Sequence, residues 1–163
     1  MIESKYLKAD TKNIQQLSPI PALESFDTRD LSNLLRLSKI RRYEEGELII
    51  QEGDSDNWLY FLLTGTVRIS KNGVDLNALY RTGDLFGEMR LIDGLSRSAS
   101  VYSVGRVICL AVDFSAADRL APDEDMQDLL QLLYRAMAQS LATRLRLSNE
   151  GMSDNTRRDN ATP

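Results

Sequence analysis

The sequence has no histidine and a single cysteine, Cys109. Within one chain these shortages exclude a disulfide, a thiolate–imidazole zinc site, a Ser-His-Asp triad and a histidine-ligated haem. An excess of positive charge is also missing. The formal net charge is −4 and the pI about 4.9, so nothing draws the whole chain to nucleic acid or to an anionic membrane surface. No apolar run approaches the roughly 20 residues that span a bilayer. The N-terminus lacks the basic-then-apolar order of a signal peptide. A soluble cytoplasmic protein is the expectation. Internal repeats and low-complexity segments are absent as well.

What is present fits one domain, since 163 residues are enough to bury a hydrophobic core. Residues 1–16 are polar and mixed in charge. Tyr6, Leu7 and Ile14 are too sparse for an amphipathic face, so this stretch reads as a loosely attached arm or a docking segment. Pro19 and Pro21 punctuate the approach to the domain at 17–149. Asp27 or Thr28 is placed to cap a helix reaching about Ser38, with Leu31, Leu34, Leu35 and Leu37 as its apolar stripe.

From Ile40 to Val112 the pattern changes to short β runs separated by glycine and aspartate. Leu48–Ile50, Leu59–Leu63, Val67–Ser70, Val74–Tyr80, Ala99–Val104 and Arg106–Val112 are the runs, and Asn72-Gly73 marks a hairpin turn. Strands at this spacing predict a sandwich or barrel. Asp113 then opens a helical tail. A short helix from Phe114 to about Leu120 ends at Pro122. A long one follows, acidic at its start (Asp123, Glu124, Asp125, Asp128) and basic later (Arg135, Arg144, Arg146), as the helix dipole favours. Its apolar residues Met126, Leu129, Leu130, Leu133, Met137, Leu141 and Leu145 recur at three- and four-residue steps. One face is expected to pack on the barrel and another to meet a twin helix in a homodimer; a helix that only caps the barrel is the alternative. Gly151 is expected to stop it, leaving 150–163 as a disordered tail.

The chain is organised around Gly83–Ser100, GDLFGEMRLIDGLSRSAS. Gly83-Asp84 is a turn dipeptide, Phe86 an apolar anchor, and Gly87 exposes backbone. Met89, Leu91 and Ile92 suit the buried side of a short helical turn that Gly94 ends. An arginine brought back beside the glycine makes a phosphate cradle, with free backbone N–H groups, a guanidinium fork from Arg97 and a hydroxyl from Ser98. Glu88 cannot bind phosphate but can accept from a sugar hydroxyl. Phosphate beside ribose describes a nucleotide.

Gly87-Glu88, a short helix and Arg97-Ser98-Ala99 resemble the phosphate-binding cassette of the cyclic nucleotide-binding domain family. Gly46-Glu47-Leu48-Ile49, Glu52-Gly53-Asp54, Leu59-Tyr60, Gly65-Thr66-Val67 and Gly83-Asp84 fall in that family's order, and the likeness runs from about Leu17 to Asn149. The resemblance implies a mainly β fold with flanking helices: an eight-stranded antiparallel jelly-roll barrel with the cassette as its helical interruption and C-terminal helices behind it. It implies a ligand site at Gly87, Glu88, Met89, Arg97, Ser98 and Ala99, with Glu88 as the ribose acceptor and Arg97 as the phosphate counter-charge. In the catabolite activator-like branch the end of the long helix reads adenine, which places Ser148 and Asn149 at the base. Arg90 departs from the family pattern, which has a small residue there; it would point outward, add a phosphate contact or fill the site.

The implied function is a stand-alone cyclic-nucleotide sensor, with cAMP as ligand ahead of cGMP because no threonine sits beside Arg97. It would signal by conformational change to an unidentified protein partner, without turnover, cofactor or metal, and without a DNA reader after residue 163. The alternative is an interaction or scaffold module of the same fold that has lost the nucleotide, for which Arg90 is the argument. An enzyme using Glu88 or Asp93 as base is disfavoured, because no recognisable catalytic partner accompanies either.

Overall fold

The first strand is one the sequence conceals. In the computed structural model, which describes residues 1–120 and 124–160 and their side chains except at Asp118, Leu120 and 152–160, Ile2–Glu3 (β1) pairs with Ser38–Tyr43 (β2). The arm is fastened by polar contacts. The Glu3 carboxylate accepts from Lys39 at 2.9 Å and from Arg41 at 2.7 Å, and the Tyr6 hydroxyl donates to Asp113 at 2.6 Å. Residues 1–16 are therefore no loose arm. Thr11–Leu17 (α1) follows, capped by Asp10, and buries Leu17. Leu7 and Ile14 also pack against the core, but they are too few for a periodic signature and charge pairs carry none, so the sequence does not show this attachment.

Thr28–Arg36 (α2) matches its expectation. The Asp27 carboxylate accepts from the Asp30 N–H and the Asp30 carboxylate from the Asp27 N–H, a reciprocal cap. Leu31, Leu34, Leu35 and Leu37 are all buried.

The sheet comprises seven antiparallel strands among the described residues: β1, β2, Leu48–Ile50 (β3), Trp58–Lys71 (β4), Val74–Leu79 (β5), Leu85–Phe86 (β6) and Ser100–Asp113 (β7). The order is β1-β2-β7-β4-β5, with β3 also on β7 and β6 on β4. The expected count of eight becomes seven because two pairs of runs merge, removing two strands, while the unforeseen β1 adds one. The ladder between β4 and β7 continues from Trp58–Asp113 to Ser70–Ser100 and only shifts register near Thr64. Gly65 and Gly105, at φ +99° and +70°, bend the two long strands instead of ending them. A Cβ on Gly65 would stand 2.3 Å from the Arg106 carbonyl oxygen, so the crossing requires glycine.

Alternation along these strands builds two cores. Leu59 and Phe61 of β4 and Leu110 and Val112 of β7 face the helices, beside Leu34, Leu35, Leu129 and Leu133. Tyr60, Leu62, Val107, Cys109 and Ala111 point to the barrel interior with Ile50, Phe86 and Val101. Tyr60 and Phe86 stack with ring centroids 5.0 Å apart. Asn72-Gly73 forms the β4–β5 hairpin with both residues at positive φ, as its sequence demands.

Between β6 and β7 lies the short helix Glu88–Asp93 (α3). It is oriented against expectation: Glu88 is buried, whereas Met89 and Ile92 are each 47% exposed and Leu91 is half-buried. Phe114–Leu120 (α4) and Glu124–Asn160 (α5) complete the chain, α5 burying Met126, Leu129, Leu133, Ala136 and Met137 against the barrel. Pro122 and Asp123 lie outside the described residues, as do 161–163. Gly151 does not stop α5, whose backbone continues through it to Asn160. A glycine inside a helix costs about 1 kcal/mol against alanine, too little to end a helix already propagating. No helix among the described residues is long and apolar enough to cross a membrane.

Candidate functional site

Arg97 is the centre of the cassette and is only 4% exposed. Its backbone is clamped first: the Arg97 N–H donates to the Asp54 carbonyl at 2.8 Å, and the Gly53 N–H donates to the Arg97 carbonyl at 2.9 Å. The guanidinium is then enclosed. Nη2 donates to Asp56 Oδ1 and to the Trp58 carbonyl, each at 2.6 Å, and Nη1 donates to the Gly87 carbonyl at 2.5 Å. Nε meets Asp56 Oδ2 at 3.3 Å. Trp58 is itself held, its ring 3.9 Å beneath the Arg41 guanidinium.

Burial pushes the Asp56 carboxyl up, but hydrogen bonding to Arg97 and its charge outweigh burial and hold it below the ordinary aspartate value. Asp56 was not among the residues that sequence reasoning singled out. It lies in an ordinary polar turn 41 positions from Arg97, and only the fold brings the two together.

Gly87 sits at φ +84° as the residue before α3. Its need for glycine comes from the protein itself. A Cβ there would meet Arg97 Nη1 at 2.9 Å, and Ile50 Cδ1 and the Trp58 carbonyl oxygen at 3.2 Å. Glycine lets the chain turn left-handed while the buried guanidinium passes behind it.

Glu88 points inward, 2% exposed. One carboxylate oxygen accepts from Arg144 Nη1 of α5 at 2.8 Å. Burial raises the Glu88 carboxyl above its ordinary value, and the Arg144 charge opposes that rise. Arg144 is the second residue the sequence reading left out of the site. Its signal was available in helical phase: it stands seven positions beyond Met137 and so continues the barrel-facing stripe.

A cavity of about 90 Å³ opens among Ile50, Phe86, Glu88, Arg97, Val101 and Arg144, with Gly87, Met89, Arg90, Ser98 and Ala99 also on its wall. Six of the expected site residues (Gly87, Glu88, Met89, Arg97, Ser98, Ala99) therefore share one cavity. Ser98 is exposed, its hydroxyl 3.6 Å from the Met89 sulfur. Ser148 and Asn149 are not brought there: both are exposed on α5 beyond Arg144 and absent from the cavity wall. Four residues beyond Arg144, Ser148 keeps the facing phase but has passed the end of the cavity. Arg90 is on the cavity wall, while its guanidinium is tied to the backbone carbonyls of Asp56 and Leu95, neither of which lines the cavity.

The profile of the family described as cyclic nucleotide-binding domain matches residues 40–123, just over half of the chain. The type II regulatory subunit of cAMP-dependent protein kinase from Drosophila melanogaster is 34% identical over 109 residues, 64% of this chain and 29% of its own length. The chain spans less than a third of the curated relatives of this kind. Among solved structures, a cyclic nucleotide-binding domain from Methylobacillus flagellatus superposes with a TM-score of 0.74 at 22% identity, covering 94% of this chain and 89% of that one. The catabolite activator protein of Thermus thermophilus gives a TM-score of 0.61 at 29% identity, over 83% of this chain and 63% of that one. With the barrel, the cassette and these likenesses together, the chain belongs to the cyclic nucleotide-binding domain family.

Proposed function

We propose that this chain is a regulatory sensor that binds a cyclic nucleotide, cAMP by preference, and passes the resulting movement of its helical tail to a protein partner. One observation carries the reading: Glu88, to which the family resemblance gives the ribose hydroxyl, is held by Arg144 from α5. Ligand and tail thus meet at one carboxylate. The cavity of about 90 Å³ is small for a nucleotide, whose sites usually run to several hundred. Admission of the ligand requires Arg144 and the end of α5 to withdraw or to re-form around it. A ligand that prefers one of those positions shifts the population of the other. The output needs no turnover, and none of the residues at the site forms a nucleophile–base pair.

The relatives named as cAMP-dependent kinase subunits, and a solved regulatory fragment described as bound to cAMP, support this ligand. Ser98 and Ala99 after Arg97, without a threonine, favour cAMP over cGMP. Tyr134 and Leu145 stay exposed on α5 at 43% and 63%, and we assign them to a twin helix in a homodimer.

A second reading has its own support. Arg97 already spends four of its five N–H donors on the protein, as a module that had lost its ligand would. Calorimetric titration with cAMP and then cGMP, beside Arg97→Ala, decides between the two. Saturable binding that the variant loses is the expected result. No heat and no thermal stabilisation with either nucleotide would leave the ligand-free scaffold.

A further inference from the structure

The charges around the cavity sort into pairs with one left over. Arg97 is matched by Asp56 at 2.6 Å and Arg144 by Glu88 at 2.8 Å. Arg90 lines the same cavity, yet its guanidinium meets only neutral oxygens. Nε donates to the Asp56 carbonyl at 2.9 Å, and Nη1 to the Leu95 carbonyl at 2.9 Å and more weakly to that of Gly94 at 3.4 Å. Nη2 donates to nothing among the described residues, and no carboxylate lies within ion-pair distance of Arg90 among them.

Resting on the sensor reading above, we propose that Arg90 supplies the counter-charge for the phosphodiester of the bound nucleotide and selects the anionic cyclic nucleotide over the neutral nucleoside. A partly desolvated anion needs an unspent positive charge nearby. The Arg97–Asp56 pair offers a donor and a dipole but is neutral as a unit, and Arg144–Glu88 is neutral likewise while its contact lasts. The remaining single positive charge equals the single negative charge of a 3′,5′-cyclic phosphate. The carbonyls of Asp56, Gly94 and Leu95 hold the fork in place beside the cavity wall, so little side-chain freedom remains to be lost on binding. The Asp56 residue is also gripped at two points, its carboxylate by Arg97 and its carbonyl by Arg90. The free charge and the buried arginine thereby keep a fixed separation.

The test is calorimetric titration of the whole chain and of its Arg90→Gln, Arg90→Lys and Arg97→Ala variants with cAMP and with adenosine, at low and high salt. Gln keeps donors but removes the charge; Lys keeps the charge but removes the fork. The expected result is a loss of cAMP affinity of about 10- to 100-fold in Arg90→Gln, the usual worth of a charged hydrogen bond. Arg90→Lys should retain most of the affinity, and adenosine should bind Arg90→Gln as it binds the unaltered protein. Salt should weaken cAMP in the unaltered protein more than in Arg90→Gln. Equal affinities of the Gln and Lys variants for cAMP, or parallel losses of cAMP and adenosine, would show a tether and overturn the proposal. Where adenosine is too weak to measure, the Gln–Lys comparison decides alone. Should Arg90→Gln fail to fold, the unaltered protein still decides, since cAMP affinity indifferent to salt overturns the counter-charge. Binding lost in Arg97→Ala but untouched in Arg90→Gln sinks only the role of Arg90. No binding by the unaltered protein sinks the sensor reading as well.

Discussion

Replacing Asp56 by asparagine strips the charge from the carboxylate that neutralises Arg97 while leaving its shape. Removing one partner of a fully buried ion pair costs about 3–5 kcal/mol, and removing an exposed one costs about 0–1 kcal/mol. This pair is mixed: the Arg97 side chain is 3% exposed and that of Asp56 36%. Arg97 would also keep the Trp58 and Gly87 carbonyls as acceptors. A loss of about 2 kcal/mol at neutral pH follows, which moves the urea midpoint by about 1 M for a slope of about 2 kcal/mol/M. The pH dependence adds a signature. Because the folded pKa of Asp56 lies below its unfolded value, the carboxylate's contribution is fully present above the unfolded value, near 3.9, and fades as pH falls through the folded one. The stability gap between the two proteins should be constant from about pH 7 to 5 and narrow below about pH 4. Urea unfolding of both at several pH values measures it. A gap under about 0.5 kcal/mol, the range of an ordinary surface change, or one that does not narrow in acid, refutes the clamp.

Gly87→Ala combines a left-handed backbone with contacts of 2.9 Å to Arg97 Nη1 and 3.2 Å to Ile50 and Trp58. It should destabilise the protein by about 2–4 kcal/mol, the sum of αL strain and overpacking, measured by thermal or urea unfolding; a change near zero would place the backbone elsewhere. Cys109 is buried in the barrel, which pushes its thiol up to about 12. At pH 8 it should react with a thiol reagent such as Ellman's only as fast as the barrel opens, and fast labelling of the native protein would contradict its burial.

The cassette was legible because its parts are close in sequence and chemically distinct. Gly87-Glu88 and Arg97-Ser98 lie within one turn–helix–turn, and all four line one cavity. Its partners were harder to see: nothing local marks Asp56 as facing a residue 41 positions away, and the helical phase of Arg144 shows the face it takes but not that Glu88, 56 positions away, is what it meets. Met89 and Ile92 misled because apolar type does not fix a helix's rotation. Here Glu88 takes the buried face, and that orientation is held by an arginine from another element. Gly65 and Gly105 misled for a different reason: a glycine ends a strand or bulges it, and only the register of the facing strand distinguishes the two.

β7 shows how the cassette and the tail are joined. It begins at Ser100, two residues after Ser98, and ends at Asp113, whose carboxylate accepts from the Ser115 and Ala116 N–H groups at the start of α4 and from the Tyr6 hydroxyl. The strand therefore connects the cassette cavity directly to the root of the tail. It is also paired along nearly its whole length with β2, β3 and β4, so it transmits little displacement of its own. The other connection, Arg144 to Glu88, is a single contact through a long side chain, 26% exposed, on the part of α5 beyond its buried stretch. Of the two routes it is the compliant one, because breaking it disturbs no backbone ladder. In the proposed sensor, a change at the cassette would reach the tail more readily through Arg144 than through β7. In the proposed sensor, Tyr6 and Asp113 would fix the root of the tail while its far end moved.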